Sequence, residues 1–380
     1  MKFLTLSRDL FFSQYFEKDF YFEKKAIGLN ELTWDDVDEM LFGWSPNDGS
    51  IHLFKDGKID PISYTEDFYD VGMLRKRIIK DSFNNLMLNG ATLVLNRIDT
   101  KSTKINKLTK AISHFVKEKA VANGYIAFGG NGTFAKHWDT HDVFAIQLIG
   151  RKQWKLFAPT FNLPLQNQTS KERKHECPET PVFDEILEAG DILYIPRGWW
   201  HEALPIEQEE TFHIAVGVHT AHITDYLTWC SGNCFVNDLN FRKSITTQPI
   251  EKFTETNVLD VLNNIQNINR FKAAQGEQDK VISPFILSHI SKKIKKTKDE
   301  KNGILFLNTS YSTSIFENNL LINGVKINID KKSKIIFDLI EDNLLTKDEL
   351  VKIVCKDNTN EDKLREFINV LIFNDVICEI

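Results

Sequence analysis

The sequence predicts an α+β protein in which a barrel of short strands comes first, a helical section follows, and a small mixed domain ends the chain. Two observations support this fold class. Short apolar runs separated by glycine, proline and asparagine turns, which are typical of strands, recur up to about residue 220. Helical periodicity then dominates, and strands return only after about residue 300. We therefore predict three domains, over residues 1–220, 221–300 and 301–380.

Composition favours a globular protein with sizeable cores. The chain has 380 residues, 42% of them hydrophobic, and its net charge of −6 does not indicate nucleic-acid binding. Its five cysteines are scattered, acidic residues interrupt the first apolar residues, and no run of about 18 apolar residues occurs. We expect a reducing, cytoplasmic setting, with neither a secretory signal nor a membrane span.

Caps and turns place the elements of the first domain. Ser7 caps a predicted helix over 7–16, and Thr33 precedes another over 34–41. Asp56-Gly57 predicts a hairpin turn within 51–58. An amphipathic helix is predicted over 105–122. The predicted strands cover residues 20–26, 90–96, 125–128, 142–148, 153–157 and 211–218.

The later sections carry no motif with chemistry. Helices are predicted over 223–230, 238–245 and 258–274, then strands over 304–308 and 320–327, helices over 332–342, 346–354 and 360–373, and a strand over 376–380. Thr346 and Glu349 have the spacing of a capping box. Cys230 and Cys234 are interpreted as free thiols. We favour a solvated linker over a nucleic-acid contact for the lysine-rich run of Lys292, Lys293, Lys295, Lys296, Lys298 and Lys301.

The first chemical motif is His137-Trp-Asp139. On a strand, residues two apart face the same side, so both side chains would point into one cavity. Together with a second histidine they would form the ligand set that suits non-heme Fe(II), because it leaves positions open for a cosubstrate and oxygen. His141 extends the motif to His-X-Asp-X-His, so a local zinc site is the alternative.

The second half of the motif is Gly190-Asp-Ile-Leu-Tyr-Ile-Pro-Arg-Gly-Trp-Trp-His201. Gly190, Pro196, Gly198 and His201 match the second motif of the cupin barrel at every spacing, and the turn would aim His201 back toward the first half. The chain here resembles the JmjC-type, cupin-like 2-oxoglutarate oxygenases, and among them the ribosomal oxygenases. The resemblance is specific over roughly residues 10 to 220 and looser over the rest. It implies a double-stranded β-helix with flanking helices.

The resemblance also implies the cofactors and their residues. The metal would be Fe(II), 2-oxoglutarate and O₂ would be cosubstrates, and the ligands would be His137, Asp139 and His201. Lys152 stands where the family has the basic residue for the far carboxylate of 2-oxoglutarate, although a solvent lysine is the alternative reading. Asn123 and Tyr125 match positions that line the pocket, with the Tyr125 hydroxyl directed at the same carboxylate.

Other conspicuous side chains are predicted to have structural roles. His213 shares a strand face with Thr211, and a core position is favoured over the iron pocket. Trp154 is predicted in the core, and Trp199 and Trp200 pack around the turn.

The resemblance implies hydroxylation of a protein side chain, a histidine or an arginine of a ribosomal protein. A nucleic-acid base or a peptide natural product stays open as the substrate, and demethylation is disfavoured. A catalytically silent JmjC-like binding module is the alternative from another class. The helical section is expected to form a homodimer. The end resembles a winged helix, whose third helix is not basic and therefore favours protein docking over DNA.

Overall fold

The computed structural model describes residues 4–28, 32–130, 132, 134–244, 246, 255–285, 287–295, 302–311, 315–316, 319–355 and 360–380. The chain divides into two compact units, Met1–His219 and Thr220–Ile380. The subdivision of the second unit near residue 300 stays a prediction.

Helices flank the sheet of the first unit, and their starts follow the predicted caps. The Ser7 hydroxyl accepts a hydrogen bond from the Leu10 N–H at 3.3 Å. Thr33 and Asp36 form a capping box at the next helix. The helices are α1 (Arg8–Gln14), α2 (Trp34–Phe42), α3 (Lys80–Leu88) and α4 (Thr103–Val116). Both caps confirm the predictions made from the sequence.

Eleven strands belong to the first unit among its described residues. They are β1 (Tyr21–Glu23), β2 (Ile51–Phe54), β3 (Thr65–Asp70), β4 (Met73–Ile78), β5 (Thr92–Leu95), β6 (Lys119–Ala127), β7 (Asp142–Phe157), β8 (Phe183–Glu188), β9 (Ile192–Ile195), β10 (Trp200–Pro205) and β11 (Thr211–His219). The main sheet has the order β1-β9-β7-β11-β6-β5-β2. Every pairing in it is antiparallel. This large antiparallel sheet is consistent with the predicted barrel.

Strand β7 joins the main sheet to a second group of strands. Its first half pairs with β9 and β11, whereas its second half, from Arg151 onward, pairs with β8 and β10. Gly150 has φ +66°, and a Cβ there would collide with the carbonyl oxygen of Glu210. The two predicted strands are therefore one, because glycine at this crowded position lets a single strand continue.

Two further predictions in the first unit need correction, and one hairpin was not predicted. The helix predicted over 105–122 ends at Val116, because Lys117 adopts a left-handed conformation (φ +55°) and β6 begins at Lys119. The hairpin of β3 and β4 was not predicted, although Val71 and Gly72 adopt positive φ at its turn. In the predicted hairpin over 51–58 only β2 is a strand, closed by a single bridge between Phe54 and Lys58.

The second unit begins with helices and ends with a small mixed domain. Its helices are α5 (Ile223–Asn233), α6 (Leu239–Arg242), α7 (Glu255–Asn263), α8 (Ile265–Gln278), α9 (Leu287–Lys295), α10 (Lys331–Asp342), α11 (Lys347–Val354) and α12 (Glu361–Phe373). Its strands are β12 (Leu305–Leu307), β13 (Ile315–Phe316), β14 (Asn319–Ile322), β15 (Val325–Asn328) and β16 (Ile377–Glu379). The capping box of Thr346 and Glu349 is present at α11.

Two elements predicted as single are divided in this unit. The helix over 258–274 breaks at Asn264, whose side chain accepts the Gln266 N–H at 2.9 Å and starts α8. The strand over 320–327 is a hairpin whose turn, Asn323-Gly324, adopts positive φ at both residues. Asn-Gly is a strong hairpin signal, and it accounts for this turn.

The described residues bear on three further predictions. Cys230 and Cys234 form no disulfide, and their interpretation as free thiols rather than a metal site stays a prediction. Lys296, Lys298 and Lys301 of the lysine-rich run lie outside the described residues, as do the side chains of Lys292 and Lys293. No helix in the described part of the chain is long and apolar enough to cross a membrane.

Candidate metal centre and its cavity

A cavity of about 400 Å³ opens inside the strands of the first unit. Alternate residues of two paired strands line it. Val121, Asn123 and Tyr125 come from β6, and His213, Ala215, Gly217 and His219 come from β11. The cavity therefore follows the two-residue period of the strands.

A backbone bridge brings the two halves of the sequence motif together at this cavity. The His137 N–H donates to the His201 carbonyl at 3.1 Å, and the His201 N–H donates to the His137 carbonyl at 2.8 Å. Gly198 donates its N–H to the Asp139 carbonyl at 3.1 Å. The prediction that His137 and Asp139 lie on a regular strand is wrong, because both residues precede β7, which begins at Asp142. The bridge nevertheless directs both side chains into the cavity.

The turn before His201 depends on glycine. Gly198 has φ +87°, and a Cβ there would lie 2.5 Å from the carbonyl oxygen of Phe161. No other residue type fits both the conformation and the space. This explains in physical terms the glycine of the predicted turn.

Three potential ligand atoms converge on one point. Nε2 of His137 lies 3.9 Å from Oδ1 of Asp139, and Nε2 of His201 lies 3.6 Å from Oδ2 of Asp139. All three ligand atoms are within 4.8 Å of one another, and among the described residues no other such group was found. Two imidazoles and one carboxylate are a set that suits a divalent transition metal.

Each of the two imidazoles makes a hydrogen bond through Nδ1, which leaves its Nε2 available to bind a metal. Nδ1 of His137 lies 2.9 Å from the Ala135 carbonyl oxygen, and Nδ1 of His201 lies 3.1 Å from the Trp199 carbonyl oxygen. When Nδ1 donates to a carbonyl, Nε2 carries the lone pair that binds a metal. Burial, with His137 nearby, lowers the pKa of His201 to about 4, so this ring is neutral at pH 7. The donor set therefore fits a metal ion.

Lys152 enters the same cavity from β7. It is 1% exposed, and no described residue forms a hydrogen bond or an ion pair with its ammonium group. Burial lowers the pKa of Lys152 to about 7. Its neighbour Arg151 faces outward and pairs with Glu209, with Nε to Oε2 at 3.0 Å. The predicted alternation of the two basic residues is confirmed, and an unpaired buried cation marks a place for an anion.

Residues 94–226 match the family model of the JmjC domain. Part of the chain is similar to bifunctional lysine-specific demethylase and histidyl-hydroxylase NO66 of fruit flies and nematodes. Identity is 29% to the Drosophila grimshawi protein, over 56% of this chain and 29% of the relative. It is 37% to the Caenorhabditis elegans protein, over 25% of this chain and 13% of the relative. The chain thus spans less than a third of the length of these relatives.

This chain contains a JmjC domain. Its fold is similar to that of the Escherichia coli ribosomal oxygenase YcfD in complex with cobalt and 2-oxoglutarate, with a TM-score of 0.55 and 16% sequence identity over 99% of this chain and 98% of that one. Another YcfD structure gives a TM-score of 0.56 at the same identity, over 99% of each chain. At this identity the likeness establishes the fold alone.

Tyr125 lies deep in the cavity of the JmjC domain. Its ring stacks on His213 with the centroids 4.9 Å apart and the planes at 9°. Burial, with Asp139 nearby, raises the pKa of the Tyr125 hydroxyl, which therefore stays protonated and can donate. Asn123 accepts the Arg97 N–H at 3.0 Å, so its side chain is held in place. Both predicted residues line the cavity.

Two residues of the JmjC domain border the cavity although their sequence pattern predicts a core position. His213 was expected in the core, yet it is buried and lines the cavity, with no hydrogen-bond partner for Nδ1 among the described residues. Trp154 was also assigned to the core, and it both packs in the core and borders the cavity. The alternation of His213, Ala215, Gly217 and His219 along one strand face was the signal that would have revealed the cavity wall.

The alternative zinc triplet does not form. His141 lines the cavity but lies outside the group of converging ligand atoms. Its ring instead stacks on His219 with the centroids 4.9 Å apart. The three alternate residues of the local motif therefore do not share one metal point.

Removal of a single ligand should abolish metal binding. His137→Ala, Asp139→Ala and His201→Ala should each weaken Mn(II) binding by more than about 100-fold, since loss of only an outer partner of a ligand already costs about 10- to 100-fold. Isothermal titration calorimetry measures this. His141→Ala is the matched control, because it removes an imidazole from the same cavity. Normal binding by His201→Ala, with loss in His141→Ala, would contradict the assignment.

Proposed function

We propose that this chain is an Fe(II)- and 2-oxoglutarate-dependent oxygenase that hydroxylates a protein side chain. One observation carries the proposal: three metal-ligand side chains and a buried, unpaired lysine share one cavity. The JmjC domain supports it, as do the relatives named histidyl-hydroxylase and a similar fold that holds cobalt and 2-oxoglutarate.

The protein groups have separate roles in this proposal. His137, Asp139 and His201 would hold the metal, and Fe(II) bound there would supply the chemistry by which O₂ oxidises both 2-oxoglutarate and a substrate C–H bond. In the balanced reaction, 2-oxoglutarate, O₂ and the substrate give succinate, CO₂ and the hydroxylated product. The chain itself binds, orients and excludes water.

Lys152 holds the far carboxylate of 2-oxoglutarate. A buried ammonium without a partner gains a charge-assisted hydrogen bond when that carboxylate arrives. The protonated Tyr125 hydroxyl and the fixed Asn123 amide supply further hydrogen bonds in the same cavity. The cosubstrate thereby covers the polar groups that the fold buries.

The substrate that we propose is a side chain of a ribosomal protein. The name of the relative in Escherichia coli, ribosomal oxygenase, supports this choice. The net charge of −6 argues against a nucleic acid as the substrate. The names of the relatives also include lysine demethylation, which the experiment below separates from hydroxylation.

Three finer predictions complete the proposal. The helical section should form a homodimer, and the last section should act as a winged helix that docks on protein. Two of its features fit a winged helix, namely the helices α10 to α12 and the β14–β15 hairpin. A cytoplasmic location, expected from the cysteines, stays a prediction.

Lys152→Met should weaken 2-oxoglutarate binding about ten- to 150-fold, because a charge-assisted hydrogen bond contributes about 1.5–3 kcal/mol. Calorimetry on the Mn(II)-loaded protein without oxygen gives the Kd. Arg151→Met is the control and should leave the Kd unchanged, since Arg151 faces outward.

The same Kd should depend on pH with a defined sign. Lys152 is protonated below its pKa of about 7, and only the ammonium form attracts a carboxylate. The Kd should therefore be flat below pH 7 and rise above it by up to about tenfold per pH unit, because binding takes up one proton. Lys152→Met should lose this slope. An equal slope in wild type and variant would rule out Lys152 as its source.

Incubation with host ribosomes tests the activity. With Fe(II), 2-oxoglutarate and O₂, the chain should form succinate, and mass spectrometry should find one added oxygen on a peptide of a ribosomal protein. The Asp139→Ala variant is the control and should do neither. Loss of methyl groups from lysine would indicate demethylation instead. If succinate never exceeds that of the Asp139→Ala variant, the chain is a binding module.

The dimer is tested by light scattering at micromolar concentration. In the helical section Leu227 and Leu259 are 41% and 53% exposed, which leaves apolar surface to cover. Phe271, by contrast, already packs on Tyr226 and Trp229. Leu259→Glu should therefore weaken the dimer, whereas Leu88→Glu, at an exposed site of the first unit, should not. A monomeric wild type would refute the homodimer.

A further inference from the structure

Two stacked histidines at the cavity have no role in the proposed chemistry. The rings of His141 and His219 have centroids 4.9 Å apart and planes at 22°. His219 is exposed, His141 is half-buried, and both line the cavity. Neither belongs to the metal group. The pair therefore stands where the cavity meets solvent.

The strand register places this pair along the cavity. Tyr125 pairs with His213 beside Lys152, and Val121 pairs with Gly217 further along the same two strands. At about 3.4 Å per residue, Gly217 lies roughly 14 Å from His213. The cosubstrate groups thus lie at one end, and His141 and His219 lie at the other. A protein side chain that enters the cavity at that end would contact them.

Gly217 leaves the space that the His141 ring occupies. A Cβ on Gly217 would lie 2.6 Å from Cδ2 and 2.7 Å from Nε2 of the His141 ring. Any larger residue at 217 would displace this imidazole. The space for the stacked pair is therefore built into β11, and it depends on the absence of a side chain.

The charges around the pair disfavour a cationic substrate group. Among the described residues that line the cavity, Asp139 is the one carboxylate, and it belongs to the metal group. Lys119 and Arg97 lie within electrostatic reach of His219, and Arg97 is already paired with Asp99 at 3.0 Å. A guanidinium or ammonium group would find no counter-ion here, and burial without one is costly. A neutral planar group can instead stack on the imidazoles and exchange hydrogen bonds with them.

We propose that His141 and His219 form the subsite that selects the substrate side chain, with Gly217 leaving the space for the His141 ring. It admits a neutral, planar, hydrogen-bonding group, an imidazole or a carboxamide, and it excludes a guanidinium or an ammonium. This inference rests on the proposed function and narrows its substrate class.

Paramagnetic broadening tests the subsite without turnover. Mn(II) and 2-oxoglutarate are loaded without oxygen, and the NMR lines of small probes report which probe comes close to the metal. The probes are the N-acetyl amides of glutamine, histidine, arginine and lysine at pH 8, with the signal of the Asp139→Ala variant subtracted. We expect the two neutral probes to broaden at least about threefold more than the two cationic ones, a difference equivalent to about 0.65 kcal/mol.

Variants locate the selectivity. His141→Ala, His219→Ala and Gly217→Ala should each lower the threefold ratio of neutral-probe to cationic-probe broadening toward a ratio of about one, while Mn(II) binding persists. His219→Ala is the variant least able to disturb folding, because its side chain is exposed at the rim. His175→Ala is the matched control, since this histidine is 78% exposed and does not line the cavity. It should keep the full preference.

The outcomes separate the two proposals. If wild type fails to bind Mn(II), the proposed function fails and the subsite fails with it. If Mn(II) and 2-oxoglutarate bind but the arginine probe broadens as strongly as the glutamine probe, the subsite is refuted and the proposed function stands. Full preference in both His141→Ala and His219→Ala would also refute the subsite.

Discussion

Two backbone hydrogen bonds between His137 and His201 tie the segment before β7 to the turn that leads into β10. They place the segment that carries His137 and Asp139 beside the first residues of β10, which include His201. The turn has its own supports: the Asp142 carboxylate accepts the Arg197 N–H at 2.8 Å, and the Arg197 guanidinium donates to Glu17 at 2.6 Å. Polar contacts outside the cavity thus hold the ligands inside it, which is how a metal site gains its geometry before the metal binds.

The buried ammonium of Lys152 shows the cost of such a site. A cation without a partner in the interior destabilises the folded state, and its pKa of about 7 expresses that cost. The sign follows from linkage. The unfolded chain binds the proton more tightly between pH 7 and the ordinary lysine value near 10, so this destabilisation is greatest below pH 7 and fades as the pH rises. An anion that binds beside Lys152 offsets it, and the fold thereby favours the loaded state.

The resemblance of the two sequence motifs to the cupin barrel implies the group of His137, Asp139 and His201, and in the structure their ligand atoms converge. Local spacing alone could not place them together, because His201 is far along the chain from His137 and a backbone bridge joins the two segments. Apolar periodicity alone could not show where α4 ends, because β6 brings further apolar residues directly after the short charged stretch Lys117-Glu118-Lys119, in which Lys117 adopts a left-handed conformation. The stacking of His141 on His219 depends on long-range pairing of β11, which no local pattern encodes.

The pairing of β7 with β10 sets where Lys152 lies relative to the metal ligand His201. Strand β7 pairs with β10 so that Leu156 faces His201 and Lys152 faces Pro205. Four residues along β10 separate the metal ligand from the level of the lysine, roughly 14 Å of strand. A slip of one residue would turn Lys152 outward and bring Arg151 into the cavity, because side chains alternate strictly along a strand. Gly150 gives β7 the freedom to leave the main sheet just before this point. The register of one strand pair therefore selects the basic side chain that enters the cavity and sets its distance from the ligand on β10.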